Sequence, residues 1–230
     1  MKAHSNADGD MRRIGFAVLG LFLTAGTLDA QRYDRRGLRE VRDRGTLGLT
    51  LVVAEPWGDF KRHGDIGAGL NFFGVTGGSG LGVRLEGGVL GYASEYQGYG
   101  ISTSSSIGSL AIGPQLTIGS GPFRLYGFAT LGGSLFWSSI NERGCGCYDS
   151  DVFFLEGDFT TNRSTGAGMM LNLSSRFALD LGVRETRHDR VTYVPANGVQ
   201  DNGDGTYSVD RVTTPVGMRV WHAGVTIGIR

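Results

Sequence analysis

Residues 81–89 read Leu-Gly-Val-Arg-Leu-Glu-Gly-Gly-Val, and this stretch decides the fold. Its apolar side chains stand at alternate positions, as at Leu81 and Leu85, whereas Arg84 and Glu86 share the opposite side with glycines. A period of two is the period of a β-strand, in which successive side chains point to opposite faces of the sheet. The stretch therefore predicts a strand with one apolar face and one face of charged and small residues.

The same alternation recurs in eight segments of the chain, and the connections between them are alternately long and short. The short turns are rich in Gly, Ser or Pro, whereas the long loops are polar. The predicted turns are residues 76–80, 119–122 and 174–176, and the predicted loops are residues 56–63, 92–106, 138–163 and 185–218. Antiparallel strands joined in this way are typical of barrels that span bacterial outer membranes.

The last loop carries a hairpin signal of its own. Residues 201–205 read Asp-Asn-Gly-Asp-Gly and stand between two β-rich arms, at residues 191–194 and 207–212. Asn-Gly and Asp-Gly favour the tight turns that join the strands of a hairpin. We therefore expect strands seven and eight to project beyond the bilayer.

Composition favours a barrel over a helical protein. The chain has 40 glycines among 230 residues, and no apolar run after residue 30 reaches the ~20 residues that a transmembrane helix needs. Only the lipid-facing side of a barrel must be apolar, and its strands must close because every backbone group in lipid has to be paired. The predicted fold class is all-β, an eight-stranded antiparallel up-and-down transmembrane β-barrel.

The N-terminus predicts export. Arg12 and Arg13 precede an apolar run at residues 14–26, and Ala30 ends a segment that suits a signal peptidase. The run is too short to span a membrane, so a retained anchor is the weaker alternative; Met11 is a second candidate initiator. The predicted organisation is a signal peptide at residues 1–30, a charged periplasmic N-terminal tail at residues 31–44 and the outer-membrane barrel at residues 45–230.

Aromatic residues on the apolar faces test this topology, because they were not used to derive it. Phenylalanines fall next to short turns and tryptophans next to long loops. The first group is Phe72, Phe123 and Phe177, and the second is Trp137 and Trp221. Aromatic girdles are expected at both membrane interfaces. The alternative is a soluble barrel such as a lipocalin, whose apolar face turns inward to a ligand; the girdles and the loop lengths favour the membrane.

Arrangement and length resemble the small eight-stranded outer-membrane barrel family, which includes the OmpA transmembrane domain and OmpX. The likeness covers about residues 45–230, and the segment from His222 to Ile229 is similar to the β-signal of that family. The chain departs from the family by ending in Arg230, where an aromatic residue is usual. The resemblance implies location in the cell outer membrane of a Gram-negative-type bacterium, with membrane lipid and the barrel-assembly machinery as partners.

Polar residues on the inward faces define a candidate site. The interior of an eight-stranded barrel is just wide enough for side chains to fill, and buried charges must pair to offset their desolvation. The predicted lumen network comprises Arg84, Glu86, Gln115, Arg124, Tyr126, Asn172, Asp180 and Arg184. We interpret it as a closed plug of salt bridges and hydrogen bonds. A narrow porin-like channel is the alternative, because many inward glycines leave room for water.

Cys145 and Cys147 lie in one predicted loop. In an oxidising compartment a local disulfide is the default, although so small a ring is strained and a bridge between two chains is the alternative. Two thiolates without a nearby histidine do not make a metal site. Aligning Gly205 with the invariant glycine of a calcium loop puts Gln200 and Arg211 at its end ligand positions. We predict neither a metal nor another cofactor.

No motif indicates a reaction. The formal net charge of zero argues against nucleic acid as a partner. An outer-membrane hydrolase would need a rim histidine, and His188, beside Asp189, and His222 are the candidates, but neither lies in a known motif. We predict a monomeric, non-enzymatic barrel with a structural or surface-interaction role. Loops rich in Tyr, Ser, Gly and Asn also suit adhesion to a partner that the sequence does not name.

Overall fold

The structure is a computed structural model that describes most of the predicted barrel. The described residues are 45–62, 64–77, 79–92, 95–96, 101–119, 121–143, 150–195, 198–202 and 206–229. The predicted signal peptide, the periplasmic tail, Cys145 and Cys147 lie outside these residues. Within the described part of the chain, no helix is long and apolar enough to cross a membrane.

Eight antiparallel strands form a closed barrel, which confirms the predicted fold class. Their bounds in chain order are β1 Gly45–Trp57, β2 Gly67–Thr76, β3 Gly80–Tyr92, β4 Ile101–Ile118, β5 Phe123–Arg143, β6 Ser150–Asn172, β7 Phe177–Tyr193 and β8 Val212–Ile229. Each strand pairs with its neighbours in the sequence, and β8 pairs with β1 to close the sheet. Closure leaves no open edge within the bilayer, as a membrane requires.

The stagger of the strands follows from the registers. A circuit of paired residues that starts at Leu47 on β1 passes through Gly74, Leu85, Ile112, Leu131, Arg163, Arg187 and Gly217 and returns to β1 at Trp57. The circuit has advanced from residue 47 to residue 57, which is a shear of ten residues. For eight strands this shear corresponds to a tilt of about 40° from the barrel axis.

Several strands are longer than the sequence predicted. The segment 138–163 is mostly strand rather than loop, since β5 continues to Arg143 and β6 begins at Ser150. Strands β4, β7 and β8 also extend into predicted loops. Beyond the bilayer, outward positions no longer need apolar side chains, so the Ser- and Thr-rich continuation of a strand looks like a loop in the sequence.

Part of the hairpin prediction was wrong. A hairpin pairing is present, but its arms are Val199–Asp201 and Tyr207–Val209. The first predicted arm, at residues 191–194, instead falls mainly at the end of β7, where Val191 pairs with Thr214 of β8. The two arms were confused because both segments are rich in β-branched residues and both precede the turn.

Two short segments cover the sides of the extension beyond the bilayer. The 3₁₀-helix Gly58–Arg62 follows β1 and packs against β8. The strand Glu95–Tyr96 pairs with β4 at residues 102–103, above the part of β4 that pairs with β3. Both sides of the five-stranded extension formed by β4 to β8 therefore carry a neighbour.

The outward surface is apolar around the barrel. Large apolar side chains on every strand are exposed, including Leu81 at 76% and Leu85 at 49%. Phe123 and Phe177 are exposed first residues of their strands, whereas Phe72 lies inside β2, four residues before its last residue, Thr76. Trp221 is exposed and Trp137 is half-buried. Such a surface is stable only against lipid.

Candidate functional site: the lumen of the barrel

Inward-facing side chains fill the barrel in two tiers. The polar tier occupies the half of the barrel next to the short turns, which is the periplasmic half in barrels of this type, and it contains the residues of the predicted lumen network. The apolar tier occupies the extracellular half, and the sequence analysis did not predict it. A small cavity lies between the two.

Arg84 lies at the centre of the polar tier and is 1% exposed. Its guanidinium carbon lies 3.9 Å from the ring centroid of Phe73 and 4.2 Å from that of Phe128. Its Nε donates to Oε2 of Glu86 at 2.8 Å, and its Nη1 donates to Oε1 of Gln115 at 3.0 Å. Cation–π contacts and charge-assisted hydrogen bonds thus compensate the desolvation of this cation.

Glu86 is shared by two arginines. Its Oε2 also lies 3.1 Å from Nη1 of Arg184, and its Oε1 accepts a hydrogen bond from the Thr130 hydroxyl at 3.0 Å. Arg184 further donates to Oδ1 of Asn71 at 3.3 Å. One carboxylate therefore pairs with two guanidinium groups, one on its own strand and one across the barrel, and its removal would deprive both cations of their counter-ion.

A second polar cluster joins β5, β7 and β8. The Tyr126 hydroxyl donates to Oδ1 of Asp180 at 2.6 Å and lies 2.9 Å from Nε2 of His222. Asp180 is completely buried, and His222 is buried beside it rather than exposed at the rim. The placement of His222 near the rim was therefore wrong. A third contact, from Arg124 to Asn172 at 2.9 Å, lies near the periplasmic ends of β5 and β6.

Sequence reasoning missed the two phenylalanines that hold Arg84. The alternation of inward and outward positions along each strand was the available signal. Phe73 lies two residues from inward-facing Asn71, and Phe128 lies two residues from inward-facing Tyr126. Glycines make room for both rings. The Phe73 ring covers Gly48, and a Cβ on Gly166 would lie 2.6 Å from a ring carbon of Phe128. The prediction that inward glycines leave room for water is wrong at these positions.

The apolar tier closes the extracellular half of the lumen. Its buried members are Val52, Ala54, Phe60, Leu90, Ile107, Phe136, Val191, Tyr193, Val216, Met218 and Val220. Phe60 comes from the 3₁₀-helix, and its ring packs edge-on against Tyr193 with centroids 5.3 Å apart. Burial raises the pKa of Tyr193 to about 12, so its phenol stays neutral at physiological pH.

The cavity between the tiers has a volume of about 40 Å³, which is room for about three water molecules. Its polar lining includes Asn162, whose Oδ1 has no hydrogen-bond partner in the protein, and His188. His188 lies 3.1 Å from the Ser134 hydroxyl and packs edge-on against Phe136. A few ordered waters would satisfy the free polar atoms of this cavity.

The residues considered for a hydrolase are not brought together. His188 is buried and faces the lumen, whereas Asp189 is exposed and bonds to the Thr161 hydroxyl. The two side chains therefore lie on opposite sides of the barrel wall. Among the residues that the structure describes, no group of three His, Cys, Asp or Glu side chains could hold a metal ion.

Comparison with known proteins finds likeness in structure alone. No protein-family model matches the sequence, and no curated protein does. Neisserial surface protein A is 13% identical, with 83% of this chain and 100% of that chain covered and a TM-score of 0.47. A major outer membrane protein of Thermus thermophilus is 11% identical, with 79% and 98% covered and a TM-score of 0.48.

A third similar structure is Ail, the attachment invasion locus protein of Yersinia pestis, in complex with the heparin analogue sucrose octasulfate. It is 15% identical, with 80% of this chain and 95% of that chain covered and a TM-score of 0.44. Independently of these likenesses, the chain's own closed registers and its outward-facing apolar surface identify its architecture. The chain is an eight-stranded transmembrane β-barrel of the outer-membrane type.

Proposed function

We propose that this protein is a sealed outer-membrane barrel with a structural or surface-interaction role. The observation that carries the proposal is the filling of the lumen. Side chains occupy the polar tier, and a second, apolar tier that includes Phe60 closes the extracellular half above it. A solute would have to displace both a compensated charge network and a packed apolar cluster, so transport is not the function that this interior supports.

The part of the protein outside the bilayer supports a role at the cell surface. Strands β4 to β8 have 17 to 23 residues each, whereas β1 to β3 have 10 to 13. A transmembrane strand needs only about 9–11 residues. The longer strands therefore form the five-stranded extension above the membrane, and this extension offers surface for contacts with other molecules.

Single-channel conductance in planar bilayers tests the proposal, after heat-modifiable migration on a gel has shown that the refolded chain is folded. We expect a folded but silent barrel. Arg84→Gln changes the polar tier, and Arg176→Gln removes an exposed arginine from a short turn as its matched control. Reproducible conductance steps that change with Arg84→Gln but not with Arg176→Gln would overturn the sealed lumen in favour of a narrow channel.

A further inference from the structure

Three rows of outward-facing side chains cross β6, β7 and β8 near the extracellular edge of the apolar surface. From the periplasmic side upward, the rows are Ala167, Val183 and Trp221, then Thr165, Glu185 and Arg219, then Arg163, Arg187 and Gly217. Members of a row are paired across neighbouring strands, and successive rows are two residues apart. On β7 and β8, side-chain chemistry thus changes from apolar to charged over a short height, as it does between acyl chains and headgroups; on β6, the exposed Phe159 lies farther toward the extracellular end than Arg163.

The uppermost row juxtaposes two like charges. Arg163 and Arg187 are exposed and directly paired across strands that lie ~4.8 Å apart. Within the described part of the chain, neither has a carboxylate within ion-pair distance, whereas Arg219 one row below lies 3.1 Å from Glu185. The Arg187 guanidinium lies 4.9 Å from the Trp57 ring, which orients it along the surface. Like charges in this position destabilise a sheet unless an anion lies between them.

A groove lies on the barrel surface below the two arginines. Its volume is about 430 Å³, and its lining combines Thr165, Ala167, Val183 and Trp221 with the ion pair of Glu185 and Arg219. The neighbouring outward positions on β5 are also small, since Gly127 pairs with Ala167, and Ala129 pairs with Thr165. The groove therefore lies where acyl chains contact the barrel, directly beneath a pair of unpaired cations.

We propose that this face binds a lipid of the outer leaflet that carries an anionic phosphate on its headgroup. The phosphate lies between Arg163 and Arg187, and an acyl chain occupies the groove beside Ala167 and Trp221. Arginine suits phosphate because its planar guanidinium donates paired hydrogen bonds to the oxygens. A second copy of the barrel fits less well, because a two-fold interface would bring two such arginine pairs together.

Native mass spectrometry of the refolded chain in detergent tests the site. The probes are dioleoylphosphatidic acid and dioleoylphosphatidylcholine, which share acyl chains and differ in headgroup charge. We expect one bound phosphatidic acid with an affinity about tenfold higher than that of phosphatidylcholine. The double variant Arg163→Gln with Arg187→Gln should abolish this preference, whereas Arg176→Gln, on a periplasmic turn, should keep it. Heat-modifiable migration verifies that each variant is folded.

A second pair of variants tests the groove. Ala167→Leu fills it with an apolar side chain that lipid tolerates, and Ala68→Leu makes the same exposed change on β2, across the barrel. We expect only Ala167→Leu to weaken phosphatidic acid binding. Equal binding of the two lipids, an equal loss in Arg176→Gln, or unchanged binding in Ala167→Leu would overturn the proposal. So would a dimer of the native chain that Ala167→Leu dissociates.

Discussion

The two tiers of the lumen are built from opposite chemistry inside one continuous sheet. In the periplasmic half, Arg84 and Arg184 converge on Glu86 and lie among hydrogen-bonding side chains. In the extracellular half, inward residues of the same strands are apolar, as at Val191 and Val216. Above the lipid-facing surface the medium outside the barrel also changes, but the apolar tier begins below that height, since Val52 stands between the exposed residues Leu51 and Val53.

Part of this difference follows from where water is found. Within the bilayer the outward positions must be apolar, and the polar residues of each strand are left for the interior. Beyond the bilayer the outward positions meet water, and the hydrophobic effect then places apolar residues inside, as in a soluble protein. This accounts for members of the apolar tier above the lipid-facing surface, such as Val191, whereas Val52 and Leu90 alternate with exposed apolar residues and fill the lumen within the bilayer.

The largest effect should come from the polar tier. Glu86→Ala removes the carboxylate that the Arg84 and Arg184 guanidinium groups share, and we expect a loss of about 3–5 kcal/mol in the free energy of unfolding. Urea titration of the barrel in lipid vesicles, followed by tryptophan fluorescence, measures it. Glu55→Ala removes an exposed glutamate from β1 and serves as the control. Equal losses of unfolding free energy in the two variants would show that the charge network does not stabilise the polar tier.

The apolar tier should respond to loss of packing instead of loss of charge. Phe60 is buried at 3% exposure, and we expect Phe60→Ala to cost about 3 kcal/mol through the cavity that it leaves. The same urea titration applies. Lys61→Ala, at an exposed position of the same 3₁₀-helix, should change stability by less than about 0.5 kcal/mol. If Phe60→Ala changes stability as little as Lys61→Ala does, the 3₁₀-helix does not close the lumen.

A smaller effect should distinguish inward from outward glycines. In Gly166→Ala the new methyl group would lie 2.6 Å from a ring carbon of Phe128 and 2.8 Å from Cβ of Arg184, and we expect a loss of about 1–3 kcal/mol. In Gly127→Ala the methyl group faces outward, with its nearest neighbour at 3.8 Å. Urea midpoints of the two variants, compared side by side, should differ; identical midpoints would mean that the lumen tolerates extra volume.

The smallest effect should come from the exposed ion pair of Glu185 and Arg219. Both side chains are more than 40% exposed, so Glu185→Gln should cost less than about 1 kcal/mol. Salt should reduce even this cost, because ions screen exposed charges. Unfolding titrations at low and high salt measure it. A loss as large as that of Glu86→Ala would remove the energetic distinction between buried and exposed charges on which the comparison of tiers rests.

Much of the polar tier could be predicted because the alternation of inward and outward positions can be read from each strand alone. Residues such as Gln115 and Asp180 alternate with apolar neighbours, and this alternation alone assigns them to the lumen. Partners within the lumen could not be predicted. Arg184 on β7 meets Glu86 on β3 across the barrel, and that encounter depends on the shear and on rotamers that no single strand encodes.

The apolar tier was missed because apolar residues face outward in one part of a strand and inward in another. Asp180 and His188 are inward at even positions, but Val191 is inward at an odd one, because the register of β7 and β8 shifts at Pro215/Val216; the sequence marks neither this shift nor the height at which lipid gives way to water. Phe60 was hidden for another reason. It lies in a short polar stretch with charged neighbours, and only the fold of the 3₁₀-helix directs it into the barrel. Both errors concern local departures from regular strands, a register shift in one case and a 3₁₀-helix in the other.

The two short segments beside the extension determine how other molecules can approach it. If the edge strands of the extension were unpaired, they could pair with strands of other proteins or of further copies of the chain. Repeated addition of this kind produces fibrils. The 3₁₀-helix beside β8 and the strand Glu95–Tyr96 beside β4 occupy those positions. Addition of further strands at these edges is therefore hindered. Other molecules at the cell surface can contact the faces of the extension and its loops.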